Sequence, residues 1–189
     1  MSEWLTRRGG KKALLRSMWT TFVVIATPAR RFVRPVDAPV RRVVFICAGN
    51  ICRSPFAEHL ASRFGIKVAS MGLKAEAGKP ANEAAARSAV AYGVDLSAHR
   101  SRRIEKAELC DGDLLLGFEL WHARALEDLG STKDCTVRLV GGFASLSKCH
   151  LFDPYGLPDP SFQYCFAQIA DAVSALAKSI RFSAEDYSR

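Results

Sequence analysis

Cys47-Ala48-Gly49-Asn50-Ile51-Cys52-Arg53-Ser54-Pro55 follows the apolar run Val43-Val44-Phe45-Ile46 and precedes Phe56-Ala57-Glu58-His59-Leu60-Ala61-Ser62-Arg63-Phe64. The order reads as a short buried strand, a tight loop and a helix. A loop that opens a helix presents unpaired backbone N–H groups and the positive end of the helix dipole, which suits a phosphate-sized anion. Inward-pointing N–H groups and a guanidinium also stabilise a thiolate, so Cys47 reads as a nucleophile. Arg53 can grip two oxygens of a phosphoryl group with its planar fork. Gly49 and Asn50 are residue types that tolerate positive φ, which a loop curling its amides inward needs. Ser54 can donate a hydrogen bond to the thiolate, and Pro55 fits a first helical turn, where its missing N–H costs nothing.

Outward from that loop the chain alternates strands and helices. A helix over Pro55–Phe64 buries Phe56, Leu60 and Phe64 and stops at Gly65; Ile66 to Ser70 is the next strand, making a right-handed βαβ unit. Met71 to Ala81 is loop. Asn82 caps a helix to Tyr92, which Gly93 ends. Glu105 to Cys110 is a helical turn, Asp113 to Phe118 a third strand, and Glu119 to Leu129 a helix ended by Gly130. Thr136 to Val140 is a fourth strand, Gly141-Gly142 opens a loop, and Phe162 to Ile180 is an amphipathic closing helix. This predicts an α/β fold with a four-stranded parallel sheet between layers of helices, a three-layer sandwich.

At 189 residues the chain supports one domain with an appendage, divided here at residue 42 from a domain over 43–189. Ten of the 27 Lys and Arg and two of the 19 acidic residues lie in 1–42, so the net charge of +8 belongs to that segment and the remainder carries 17 of each sign. The basic character is therefore no argument for nucleic-acid binding by the body of the protein. Six cysteines, at 47, 52, 110, 135, 149 and 165, include no Cys-x2-Cys pair, and the four His do not cluster with them in sequence. Neither a zinc site nor a disulfide framework is expected, and a thiolate nucleophile favours a cytoplasmic setting.

Residues 1–42 combine Arg7, Arg8, Lys11, Lys12 and Arg16 with an uncharged run from Ser17 to Ala29, then Arg30, Arg31 and Arg34. Thirteen uncharged residues are too few to span a bilayer, and no small-x-small cleavage site ends the run. With Trp4, Trp19 and Phe22, residues 1–34 can lie on an anionic membrane surface; the other reading is a loosely packed tail.

Cys47-x-Gly49-Asn50-x-Cys52-Arg53-Ser54-Pro55 resembles the active-site loop of the low-molecular-weight protein tyrosine phosphatases, and the likeness runs from about Val43 to Ala177. It implies hydrolysis of protein phosphotyrosine through a phosphocysteine, with Cys47, Arg53 and an aspartic acid as the catalytic set, no cofactor and no metal. Ala48, Gly49, Asn50, Ile51, Cys52 and Ser54 then support the phosphate. The resemblance places His99 behind Ser54, orienting its hydroxyl, and puts Glu119, Trp121 and His122 on the rim. The acid has two candidates, Asp153 in Asp153-Pro154-Tyr155 and Asp159 in Asp159-Pro160-Ser161. The family's acid sits in an Asp-Pro-aromatic loop with a helix aromatic nine residues later; Asp153, Tyr155 and Phe162 match, whereas Asp159 suits a helix start. Tyr155 becomes the wall for a substrate ring.

Cys52 can form a reversible disulfide with Cys47 or simply pack under the loop. Departures from the family pattern are the small Ala48, one aromatic after Asp153-Pro154, Ser70-Met71-Gly72 in place of Ser-Ala-Gly, and the basic extension. Relatives with other chemistry are arsenate reductases, which need further reactive cysteines and for which Cys110 and Cys135 form no evident relay, and protein-arginine phosphatases, which carry Thr where this chain has Ile51. A phosphate-binding module without turnover is the non-enzymatic reading. By resemblance, a bacterial tyrosine kinase of polysaccharide export is the partner class.

Overall fold

The computed structural model describes residues 10–105, 109–129, 134–145 and 149–180. Its centre is a sheet of four parallel strands, β1 (Arg42–Cys47), β2 (Val68–Gly72), β3 (Asp113–Gly117) and β4 (Thr136–Leu139), in the order β2-β1-β3-β4. Val44 sits opposite Ala69 on one side and Leu115 on the other, and Leu115 opposite Val137. Around the sheet run α1 (Gly10–Ala26), α2 (Arg53–Ser62), α3 (Glu83–Ala89), α4 (Leu120–Asp128) and α5 (Asp159–Ser179). After their charged first residues, Arg42 and Asp113, β1 and β3 are apolar on both faces because helices cover both, as parallel sheets require.

Side-chain alternation along β1 divides the core in two. Val43, Phe45 and Cys47 point with Leu114 and Leu116 toward α2, α3 and α5, where Phe56, Leu60, Phe162, Phe166, Ile169 and Val173 pack. Phe56 and Phe166 stack face to face, 3.9 Å between centroids, and fix α2 against α5. Val44, Ile46 and Leu115 point the other way, onto Ala123 and Leu126 of α4 and onto Val24, Ala29 and Phe32.

Those last three residues change the reading of the basic extension. It is not a loose tail where it is described: α1 leads through Thr27, whose side chain accepts from the Ala29 N–H, into a 3₁₀ turn over Pro28–Val33. Phe32 is 1% exposed, Arg31 makes a bidentate pair with Glu127 at 2.9 and 2.7 Å, and Arg138 donates to the carbonyls of Arg34 and Pro35. The body therefore starts before residue 42. On the second face of the sheet α4 shares the cover with Val24 of α1, Ala29 and Phe32.

Element boundaries move by one or two residues from expectation. α2 starts at Arg53 rather than Pro55, and β2 at Val68 rather than Ile66, since Lys67 uses its carbonyl to accept from Val43 N–H outside the ladder. The Asn82-capped helix tightens to a 3₁₀ turn over Val90–Tyr92 before Gly93 at φ 65. α5 begins at Asp159, one turn earlier than its apolar stripe, and Val140–Gly142 is a 3₁₀ turn. Residues 106–108 of the expected Glu105–Cys110 turn, Gly130, and residues 1–9 with Trp4, Arg7 and Arg8 lie outside the described residues.

Candidate active site

Cys47 is the last residue of β1, and the loop after it curls back over its sulfur. The Asn50 N–H donates to Cys47 Sγ at 3.2 Å, and Ser54 Oγ lies 3.1 Å from the same atom. Asn50 makes this possible at φ 53, the one described non-glycine residue in the left-handed region; Gly49 does not use it. Asn50 is fully buried, and every polar atom it has is engaged. Nδ2 donates to Ser54 Oγ at 2.9 Å and to Ser70 Oγ at 2.8 Å, Oδ1 accepts from Arg102 N–H at 2.8 Å, and its carbonyl meets His99 Nε2 at 2.7 Å. Ser54 Oγ accepts from Asn50 and has the Met71 carbonyl at 3.5 Å as a weak acceptor, so its proton can turn toward Cys47 Sγ when that sulfur is a thiolate. Ser70 passes its own proton on to Glu58.

His99 is thus one link further from Ser54 than the resemblance implies. It fixes the backbone of Asn50, and Asn50 orients the hydroxyl. Gly72 is needed here for space: a Cβ on it would meet the Ala48 carbonyl at 2.8 Å and the Asn50 amide nitrogen at 2.9 Å. The following amides, Leu73 N–H and Lys74 N–H, hold the Cys47 and Ala48 carbonyls at 3.0 and 2.8 Å. Ser70, Gly72, Glu58 and Arg102 are supporting residues that the sequence reading assigned no part; the Ser70-Met71-Gly72 triplet was the visible signal.

Arg53, the first residue of α2, is 1% exposed. Its Nη1 donates to Glu119 Oε1 at 2.8 Å and to the Leu151 carbonyl at 2.9 Å, and Nη2 to Asp153 Oδ2 at 2.6 Å. Burial works against its charge, but Asp153, Cys47 and Glu119 outweigh it and the guanidinium is held more firmly protonated than usual. Its Nε is buried with no hydrogen-bond partner among the described residues.

Two expected rim residues are not on the rim. Glu119 is buried and anchors Arg53 from below, because an interior guanidinium needs a paired carboxylate. His122 is 0% exposed; its Nδ1 accepts from the amides of Phe118 and Glu119 at 3.2 and 3.1 Å, and burial with the neighbouring Arg53 charge pulls its pKa down to about 2. Trp121 is half-buried, its ring against His122 and Lys74 Nζ 5.4 Å from its centroid.

A cavity of about 200 Å³ opens over the loop, lined by Cys47, Ala48, Gly49, Ile51, Cys52, Arg53, Asp153 and Tyr155. Tyr155 is 61% exposed at its mouth, and its N–H donates to Asp153 Oδ1 at 3.1 Å. Asp159 lies elsewhere, at the start of α5, where Arg87 forks its carboxylate at 3.1 and 3.0 Å and holds its pKa below the usual range. Cys52 lines the cavity as a reduced thiol, its pKa pushed well up by burial and then by Cys47. Cys165, beneath, is pushed up to about 12 by burial.

A sulfur under converging N–H and O–H donors, a fixed guanidinium beside it and a carboxyl at the mouth, all on the carboxyl end of a parallel sheet, define a cysteine-dependent phosphatase of α/β class. The family model described as low molecular weight phosphotyrosine protein phosphatase matches residues 42–185, and the chain belongs to that family. It is 35% identical over 142 residues to the low molecular weight protein-tyrosine-phosphatase Wzb of Salmonella typhi, covering 74% of this chain and 93% of that one. Among solved structures it is similar to the Erwinia amylovora tyrosine phosphatase AmsI (TM-score 0.68, 27% identity, 76% and 95% of the two chains). It is also similar to Vibrio vulnificus Wzb in complex with benzylphosphonate (TM-score 0.66, 28% identity, 74% and 99%).

Proposed function

We propose that the protein hydrolyses phosphotyrosine in protein substrates through a phosphocysteine on Cys47. The observation that carries the reading is the buried Nε of Arg53. Nη1 and Nη2 are anchored on Glu119, Leu151 and Asp153, which leaves Nε as a fixed donor without a partner among the described residues, on a side chain that lines the same cavity as Cys47. Such a donor has its use when a phosphoryl oxygen accepts from it. In the first step the Cys47 thiolate forms the S–P bond as the P–O bond to tyrosine breaks, and Asp153 gives its proton to the leaving phenolate. In the second, Asp153 takes a proton from water, water attacks phosphorus, and the thiolate leaves with inorganic phosphate released. Tyr155 and Ile51 supply apolar walls for an aryl ring. The substrate is a phosphotyrosine protein, and a bacterial tyrosine kinase is the partner class.

The test is hydrolysis of p-nitrophenyl phosphate by the reduced protein in the presence of EDTA. Cys47→Ser should abolish turnover, and Asp153→Ala should lower kcat by about 10²–10⁴. Phosphotyrosine peptides should be consumed and phosphoarginine peptides spared. A wild type inactive on all three substrates would overturn the reading, and preference for phosphoarginine or arsenate would reassign it.

A second reading concerns where the chain works. Leu15, Met18, Trp19 and Phe22 stand 66, 64, 67 and 63% exposed on α1, at the i, i+3, i+4, i+7 spacing of a single stripe. Lys11 and Arg16 flank that stripe, and Arg30, Arg31 and Arg34 line an open cleft at the end of α1. No described helix is long and apolar enough to cross a membrane. The stripe supports the outer face of α1 resting on the surface of an anionic leaflet, with the catalytic body on the cytoplasmic side. Co-sedimentation with phosphatidylglycerol vesicles but not phosphatidylcholine vesicles, lost in Trp19→Ser/Phe22→Ser, is the expected result; equal recovery with and without vesicles would sink it.

A further inference from the structure

Behind the phosphate loop, on the side away from the cavity, Glu58 and His59 of α2 converge on His99. One carboxylate oxygen of Glu58 and one ring nitrogen each of His59 and His99 lie within 4.8 Å of one another, with His99 buried and the other two half-buried. The two rings meet edge to face, 6.3 Å between centroids. No hydrogen bond joins any two of the three among the described residues. Adjacent helix positions point about 100° apart, so Glu58 and His59 come together only through His99.

The chemistry of His99 is specific. Its Nε2 lies 2.7 Å from the Asn50 carbonyl oxygen, which can only accept. Nε2 therefore carries the proton and Nδ1 keeps the free lone pair. An imidazole that donates one N–H to a backbone carbonyl keeps its other nitrogen as a fixed lone pair, the usual arrangement of a metal-ligating histidine. Glu58 spends one oxygen accepting from Ser70 and has the second available. The opposing charge is the Arg102 guanidinium, which donates toward the Ser70 carbonyl at 3.5 Å.

We propose that Glu58, His59 and His99 bind one zinc-class divalent cation, with water in the fourth position. Two imidazoles and a carboxylate suit Zn²⁺, whose bonds of about 2.0–2.2 Å need only small side-chain rotations to draw these donors in. The ion is not part of the hydrolytic chemistry. It braces the loop: through His99 it holds the Asn50 carbonyl, and Asn50 orients Ser54 against Cys47 Sγ. The binding claim stands without the proposed activity.

The test uses the full chain carrying Cys47→Ser, so that the nucleophile cannot compete for metal. Zn²⁺ titrated by calorimetry should bind at one per chain, and Co²⁺ should give the intense visible bands of a four-coordinate site. His59→Ala, outside the loop and its hydrogen bonds, should leave the metal-free melting temperature unchanged while weakening Zn²⁺ at least about tenfold and abolishing the Zn²⁺-induced rise in melting temperature. Glu58→Gln, which keeps an acceptor for Ser70, is the second arm. Absence of stoichiometric binding, or affinity unchanged in both variants, would overturn the proposal.

Discussion

Asn50 occupies a backbone conformation that costs most residues about 1 kcal/mol or more and pays for it with four side-chain and backbone contacts that fix the loop. Asn50→Ala removes two donors and one acceptor from a fully buried position, leaving Ser54, Ser70 and the Arg102 amide short of partners. The expected loss is about 1–3 kcal/mol per orphaned group, read as a lower melting temperature, together with a fall in kcat larger than the rise in KM. Glu119 poses a sharper case. Glu119→Gln retains an acceptor for Arg53 Nη1, whereas Glu119→Ala leaves a buried guanidinium with Asp153 as its remaining charged partner. Glu119→Ala should cost about 3–5 kcal/mol by urea denaturation and Glu119→Gln clearly less. Equal costs would mean that Glu119 fills space rather than holding charge.

Among the elements, α4 depends on a histidine that must stay neutral. His122, in its first turn, accepts from the Phe118 and Glu119 amides through Nδ1, and its pKa falls to about 2. His99 and His150 are also lowered, by burial first. With folded values below the unfolded one of about 6.5, the unfolded chain binds more protons below that pH. Stability contributed by these neutral rings is therefore complete above about pH 6.5 and is lost as pH falls. His122 alone gives a slope of about 1.4 kcal/mol per pH unit. His122→Asn, which keeps a side-chain acceptor near the two amides but does not titrate, should flatten the melting temperature between pH 6.5 and 5; a profile as steep as the parent's would assign the slope to other groups.

The same element shows what sequence could and could not deliver. β1, the loop and α2 were legible because each local signal agreed: an apolar run, a Cys-x5-Arg spacing and a Pro in the first turn. The parallel four-stranded sheet followed from alternation of strands and helices, while its order β2-β1-β3-β4 came from the structure. Glu119 and His122 were misplaced because a position in sequence next to a strand end does not say whether the side chain points up to the mouth or down to Arg53. The direction of Glu119 is decided by the buried charge of Arg53, 66 residues away, and that of His122 by the Phe118 and Glu119 amides that it caps. The supporting residues Glu58, Ser70 and Arg102 were silent for a related reason: Ser70 and Arg102 reach Asn50 from 20 and 52 residues away, and Glu58 joins them only through Ser70.

For the molecule as a whole, the question is what the basic segment does for a body that is otherwise charge-balanced. Its two faces separate by residue. Val24, Ala29 and Phe32 are buried in the second half of the core and Arg31 forks Glu127, whereas Leu15, Met18, Trp19 and Phe22 lie open on the far side of α1. Phe32→Ala removes a large side chain from a packed face and should cost about 3–5 kcal/mol by chemical denaturation. Trp19→Ser with Phe22→Ser removes only exposed surface and should change stability by no more than about 0.5 kcal/mol per substitution. If both sets destabilise alike, α1 packs on both sides and the stripe is core. If only Phe32→Ala does, the inner face belongs to the fold and the outer stripe is free to meet something else. Kinetics then complete the separation. Leu15, Met18, Trp19 and Phe22 line no part of the cavity, so kcat on a small aryl phosphate should be unchanged in Trp19→Ser/Phe22→Ser, and turnover of a vesicle-anchored phosphotyrosine peptide should fall, because a surface-bound enzyme shares its substrate's plane and a soluble one must find it from bulk.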